Sequence, residues 1–221
     1  MMVIIFAMLM LYQFWFFAHI CWWVKFNPST SAFMETRLET LQSKNPKAKL
    51  RQQWIPYDHI SDNLKHALIA AEDASFVDHE GFDWEGIQLA YEKNLKKGKI
   101  VAGGSTISQQ LAKNLFLSTK RTPWRKLEEA AITIMLEAVM DKRRIFEIYL
   151  NIIEWGNGVF GAEAAAQHYF QVSAAQLTVE QAAWLAAMVP NPRYYETHRE
   201  AYGLLLKTAF IITHMNKMEI P

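Results

Sequence analysis

The chain is poor in cysteine and in net charge. Cys21 is the only cysteine among 221 residues, so a disulfide scaffold is excluded. The 23 Lys and Arg nearly cancel the 22 Asp and Glu, leaving +1 at pH 7. A chain-wide basic signature for nucleic acid is therefore absent. Charged residues reach only 20% while aromatics make up 13%, which excludes a long disordered protein. No run alternates as a strand does, and there is no internal repeat or low-complexity tract. His59, His66, His168, His198 and His214 have no metal-ligand spacing with one another. Ser105 has no neighbouring His and Asp for a catalytic triad.

What is present is unevenly distributed. Residues 3–24 read VIIFAMLMLYQFWFFAHICWWV, and 20 of these 22 are apolar or aromatic with none charged. Roughly 20 such residues span a bilayer as a helix. Trp22 and Trp23 mark an interfacial belt, and Lys25 follows at once. A signal peptide needs a charged start and a small-residue cleavage site. Neither is here, so a retained single-pass anchor is expected. Residues 25–53 are polar, with Pro28 and Pro46, and read as a stalk. Residues 54–221 read as one helical domain by period. Ser61 can cap a helix carrying Leu64, Ala67, Leu68 and Ala71 on one face. Thr122-Pro123 opens a long helix reaching about Met140. Thr178 and Gln181 form a capping box before a helix that stops near Asn191-Pro192. Gly156, Gly158 and Gly161 punctuate a loop between helices.

Between Lys93 and Lys126 lie nine basic residues and, over 34 positions, no Asp or Glu. They are Lys93, Lys96, Lys97, Lys99, Lys113, Lys120, Arg121, Arg125 and Lys126. Such a run is usually a solvated face. Here it surrounds GGSTISQQLAKN at 103–114, where two glycines and Ser-Thr open a helix. Free N–H groups and the positive dipole end at such a start favour an anion, typically phosphate. Gln109, Gln110, Lys113 and Asn114 add donors. The Walker spacing is missing, so a nucleotide is not implied. Gly98, Gly103 and Gly104 with the lysines suggest a mobile loop over 95–103.

Two carboxylates are candidates for chemistry. Glu72-Asp73 ends an apolar helix, where partial desolvation would suit a general base; a solvated helix end reads equally well. Glu129 shares a helix face with Arg125, Thr133 and Glu137, with Lys126 alongside. That face is either an internal ion-pair ladder or a functional cluster. Glu128 points elsewhere.

Four segments together resemble the family 51 glycosyltransferases, the peptidoglycan polymerases: EDASFVDHEG (72–81), GGSTISQQLAKN (103–114), RKLEE (125–129) and KRRIFEIYLN (142–151). WGNGVFGAEAAA (155–166) continues the likeness, which spans roughly residues 54–195. The resemblance implies a mainly α, lysozyme-like domain with a smaller membrane-facing lobe, of the monofunctional kind without a transpeptidase domain. It implies polymerisation of lipid II into β-1,4 glycan strands, with inversion and release of undecaprenyl diphosphate. By motif, Glu72 would be the catalytic base and Glu129 the second essential carboxylate. Asp73, Phe76 and His79 would complete the first motif. Ser105, Thr106, Gln110, Lys113 and Asn114 would line the donor site, and Arg125 and Lys126 would hold the diphosphate. A divalent metal, Mg2+ or Mn2+, commonly assists the family; no dedicated metal cage is visible.

The implied partners are lipid II, the growing glycan, the membrane, and other cell-wall synthesis and division proteins; nucleic acid is not among them. The implied location is the bacterial inner membrane, with the domain in the periplasm. Lys25, Arg37, Lys44, Lys47, Lys49 and Arg51 follow the apolar run and none precedes it, which by charge alone would place the domain in the cytoplasm. There are departures too. Asp141-Lys142-Arg143-Arg144 carries two arginines where the family often has acids, Phe146 replaces a usual Leu, and Lys207 lies in a stretch often richer in Arg. The rival readings are a membrane-anchored lytic glycosidase of lysozyme-like fold and a non-catalytic scaffold binding anionic lipid.

Overall fold

The computed structural model describes residues 2–99, 103–119 and 122–221. Met2–Trp23 form α1, a helix of 22 residues. Among the described residues it is the one helix long and apolar enough to cross a membrane. Most of its side chains are exposed, but Phe16 and Ile20 are buried because α1 lies against the domain. Phe16 meets Phe116, at the end of α5 (Ile107–Phe116), with ring centroids 5.1 Å apart. The Tyr12 hydroxyl donates to Glu128 on α6 (Pro123–Val139) at 3.2 Å. Tyr12 and Trp23 are 11 positions apart, so α6 meets the anchor about 16 Å from its C-terminal end at the usual helical rise.

The segment expected to be a stalk is folded onto the domain. Ala32–Gln42 form α2, with the Ser31 hydroxyl accepting from the Met34 N–H. Met34 is buried and Arg37 donates to Glu154 through Nε and Nη2 at 2.6 and 3.1 Å. Arg51–Gln52 form β1, which pairs in parallel with β3 (Val159–Phe160); β3 pairs antiparallel with β2 (Glu154–Gly156). The glycine-punctuated loop is therefore a small sheet of order β1-β3-β2. Strands of two or three residues carry no readable alternation, which is why none was expected.

Helices make up the rest. α3 (Asp62–Glu72), α9 (Val179–Met188) and α11 (Tyr202–His214) pack on one another, and α5 packs on α6 and on α7 (Lys142–Ile152). α4 (Trp84–Lys97), α8 (Ala162–Phe170) and α10 (Pro192–Thr197) complete the set. α6 starts as its sequence requires: Thr122 accepts from the Arg125 N–H, and Pro123 takes the first turn, where its missing N–H costs nothing. Thr178 and Gln181 form the expected reciprocal cap. Ser61 does precede α3, but its hydroxyl donates to the Leu177 carbonyl instead of capping.

Besides α1, three helices keep large apolar side chains more than half exposed: Trp84, Leu89, Tyr91 and Leu95 on α4, Trp124, Leu127 and Ile134 on α6, and Tyr202, Leu206 and Phe210 on α11. The second set stands on the helix that α1 lies along. Patches of this kind mark membrane or partner contact.

Gly161, at the turn into α8, has φ +80° and ψ 156°, a region open essentially to glycine alone. An added Cβ would also lie 2.6 Å from the Asn151 carbonyl oxygen. Gly161→Ala is expected to cost about 2–3 kcal/mol. Thermal melting of the purified chain checks this; an unchanged midpoint would contradict it.

Candidate active site

The site is assembled where the end of α3, the start of α5, the first turns of α6 and the middle of α11 converge. Glu72 is the last residue of α3. Its Oε2 accepts from Gln110 Nε2 at 3.0 Å and its Oε1 from Lys207 Nζ at 3.0 Å. It is therefore held, and not a freely solvated helix end. Gln110 cannot flip away, because its own Oε1 accepts from the buried Tyr149 hydroxyl at 3.0 Å. Burial, and secondarily the charges of Glu72 and Asp73, raise the Tyr149 pKa well above the usual phenol value, so the hydroxyl stays a donor.

Asp73 is buried and joins three segments. Its Oδ2 accepts from the Ile107 N–H at 2.8 Å, and its Oδ1 pairs with His79 Nε2 at 3.0 Å. His79 Nδ1 accepts from the Gly81 N–H at 3.1 Å, so Nε2 must carry the proton given to Asp73. The first turn of α5 is thus closed by the protein itself. Thr106 and Gln109 add a reciprocal cap there, each side chain accepting from the other's backbone N–H. The expected anion site on free N–H groups at this helix start is replaced by the Asp73 carboxylate. Gly104 serves close approach: a Cβ there would come within 3.0 Å of the Ile87 backbone on α4.

The cations collect around Glu129 instead. Glu129 is 3% exposed. Arg125 Nη1 donates to its Oε2 at 2.7 Å, and the Lys126 ammonium donates to its Oε1. Lys126 also reaches Ser105 Oγ at 3.4 Å. Arg125 Nε is buried and has no hydrogen-bond partner among the described residues. These groups line a cleft of about 830 Å3 together with Gln110, Lys113, Asn114, Arg37 and Arg193. Five cations and two carboxylates line it, an excess of positive charge that suits a diphosphate. Lys113 is largely buried, which lowers its pKa; the charges of Glu129 and Glu72 oppose that shift. A smaller cavity of about 220 Å3 holds Glu72, Asp73 and Thr106, and Ser105 lines both spaces. The Glu72 carboxylate and the cationic cleft are therefore neighbours.

Most residues singled out by sequence converge here: Glu72, Glu129, Ser105, Gln110, Lys113, Asn114, Arg125 and Lys126. Phe76 and His79 line neither cavity. Phe76 is fully buried, with its ring 5.5 Å from Phe146 and 4.7 Å from Lys142 Nζ, so it belongs to the core. Lys120 and Arg121, and part of the expected loop at 95–103, lie outside the described residues. Sequence reading missed Lys207, Tyr149, Arg37 and Glu154 as site residues. Lys207 had drawn notice only as a departure in the C-terminal stretch, and Arg37 only as one of the cations after the apolar run.

Transglycosylase is the description of the family model that matches residues 37–216. The chain belongs to the transglycosylase family. It is 69% identical over 215 residues to the biosynthetic peptidoglycan transglycosylase of Methylobacillus flagellatus, covering 97% of this chain and 94% of that protein. The proteins of the same description from Chromobacterium violaceum and Laribacter hongkongensis are 66% and 65% identical, again over 97% of this chain and 94% of theirs. The family match begins inside α2, which agrees with that segment being folded.

Among the described residues, no group of three or more His, Cys, Asp or Glu side chains is placed to hold a metal ion. Both oxygens of Glu129 already face cations. The Mg2+ or Mn2+ implied by the resemblance thus has no cage of this kind among the described residues.

Two outcomes follow. Lys113 is charged below its lowered pKa and neutral above it, so affinity for an anion is present at lower pH and lost as pH rises. Calorimetric binding of inorganic pyrophosphate is expected to weaken before exposed lysines titrate, and Lys113→Gln is expected to remove that early limb. Lys207→Met keeps the length and removes the charge beside Glu72. Turnover is expected to fall at least tenfold, about 1.4 kcal/mol of transition-state stabilisation.

Proposed function

We propose that this chain polymerises lipid II into β-1,4-linked glycan strands at the membrane. The observation that carries the reading is the pairing of Glu72 with the cleft beside it. Glu72 faces one lysine and one neutral amide, so it retains capacity to accept a proton. Glu129 is engaged on both oxygens by cations and serves to hold them. Glu72 takes the proton of the acceptor GlcNAc 4-hydroxyl. That oxygen attacks C1 of the donor MurNAc as the bond from C1 to the phosphate oxygen breaks. One base and no enzyme nucleophile give inversion.

The leaving group is undecaprenyl diphosphate, which departs as an anion and needs no proton. Charge grows on it in the transition state, and fixed cations in a partly dry cleft stabilise that charge best. Lys113, Arg125 and Lys126 are so placed, and the unpartnered Arg125 Nε is a donor awaiting a ligand atom. Ser105, Thr106, Gln110 and Asn114 frame the donor, while Asp73, Phe76 and His79 support the walls from behind.

The membrane supplies the substrate. An anchored site meets lipid II at a raised effective concentration, and the exposed apolar residues of α4 and α6 give the small lobe a lipid-facing side. We place the domain in the periplasm of a bacterium, with α1 in the inner membrane. The opposing charge count loses force in the fold. Arg37 is paired with Glu154 and Arg51 with His168, so these cations belong to the domain and not to a free flanking loop.

The test is incubation of the full chain in detergent with labelled lipid II, beside Glu72→Gln. Polymer from wild type with at least a hundredfold less from the variant is expected. Lipid II bound but never polymerised by wild type would overturn the reading, and a glycan that shortens with time would mark a hydrolase.

A further inference from the structure

Arg144 is one of the two arginines that depart from the family's usual pattern. Arg143 has an ordinary use on the surface, where it pairs with Asp58. Arg144 is different. Its side chain is only 13% exposed and reaches back to the end of the anchor. Nε donates to the Trp23 carbonyl at 2.9 Å, and Nη2 donates to the Phe26 carbonyl at 2.8 Å and to Asn27 Oδ1 at 2.9 Å. Nη1 is tied to Glu147 at 2.7 Å, and the guanidinium lies 5.6 Å from the Trp54 ring.

The last carbonyls of a helix have no partners within it and form the negative end of its dipole. α1 has no basic residue in its own last turn. The Ile20 and Trp22 carbonyls accept from the N–H groups of Val24, Lys25 and Phe26, whereas the Trp23 carbonyl takes a side-chain donor. Arg144 supplies it from α7, 121 positions away from Trp23. Farther up, Tyr12 bonds to Glu128 and Phe16 packs on Phe116. The anchor is thus fixed at its base and again about 16 Å along its length. The upper contact is made by the residue next to Glu129.

We infer that Arg144 is a positioning residue that locks the anchor helix to the domain and so sets the depth of the cleft relative to the bilayer. It touches no substrate. Its removal would let α1 swing while the site itself stayed intact. The activity part of this inference rests on the lipid II reading above; the geometric part rests only on α1 lying in a membrane.

The experiment uses the full chain in vesicles. Cys21 is the only cysteine and is exposed on α1, so a fluorophore attached there reports depth through quenching by lipids spin-labelled at different positions. In Arg144→Ala the quenching profile is expected to broaden and shift, with Arg144→Lys between it and wild type. The KM for long-chain lipid II in vesicles is expected to rise about fivefold or more. Turnover of a short-chain, water-soluble analogue is expected to stay within twofold. An unchanged depth profile overturns the proposal, as does an equal loss on both substrates, which would mark a plain folding role. Should Arg144→Ala fail to fold, Asn27→Ala removes one bond of the latch and is expected to shift the profile the same way, by less; no shift overturns the proposal. A wild type inactive on both substrates would refute the polymerase reading and leave the depth measurement standing.

Discussion

Asp73 is nearly dry, and a buried carboxylate is tolerated only where hydrogen bonds replace its water. It finds them on two separate segments, the first N–H of α5 and the ring of His79. Hydrogen bonds to a charged group contribute about 1.5–3 kcal/mol each, so the arrangement is worth keeping. Its effect is geometric. Asp73 follows Glu72 directly, and fixing it to α5 brings Glu72 opposite Gln110. The position of Glu72, the proposed base, is set by the burial of the carboxylate next to it.

The cationic cleft shows the opposite balance. Arg125, Lys126 and Lys113 crowd one another, and the single deeply buried acid among them cannot neutralise all three. Repulsion of this kind opposes folding, and an unpartnered guanidinium N–H adds to the cost. Stability is weakened where a ligand would restore it. An anion entering the cleft would gain the attraction that the protein alone lacks, and under the proposed function that gain would grow as the leaving diphosphate gathers charge.

What could be read from sequence was local. Thr122-Pro123, the Thr178 and Gln181 cap and the apolar run of α1 act within a few residues, and each appears where expected. The Glu129 cluster was legible because helical spacing alone puts Arg125, Lys126 and Glu129 together. Partners far apart in the chain were not legible. Lys207 reaches Glu72 across 135 positions and Arg37 reaches Glu154 across 117. No periodicity carries such pairings. Composition misled at two points. Polar residues 25–53 looked like a stalk, although α2 docks through buried Met34 and the Arg37–Glu154 pair. The glycine-serine turn before α5 looked ready for phosphate, yet the Ile107 N–H goes to Asp73 and the Gln109 N–H to Thr106.

The shortest element has a consequence for how the chain is made. Arg51 in β1 pairs with Val159 in β3, 108 positions later. Closing a loop of that size is slow, and the parallel pair cannot form until its distant partner has been synthesised. The Arg37–Glu154 pair waits on the same stretch. The anchor can enter the bilayer as soon as it leaves the ribosome, since all its backbone bonds are its own. The segment just after it must stay unpaired while more than a hundred further residues follow. In the finished protein that segment is the first part of the domain in sequence, and it is among the last to settle.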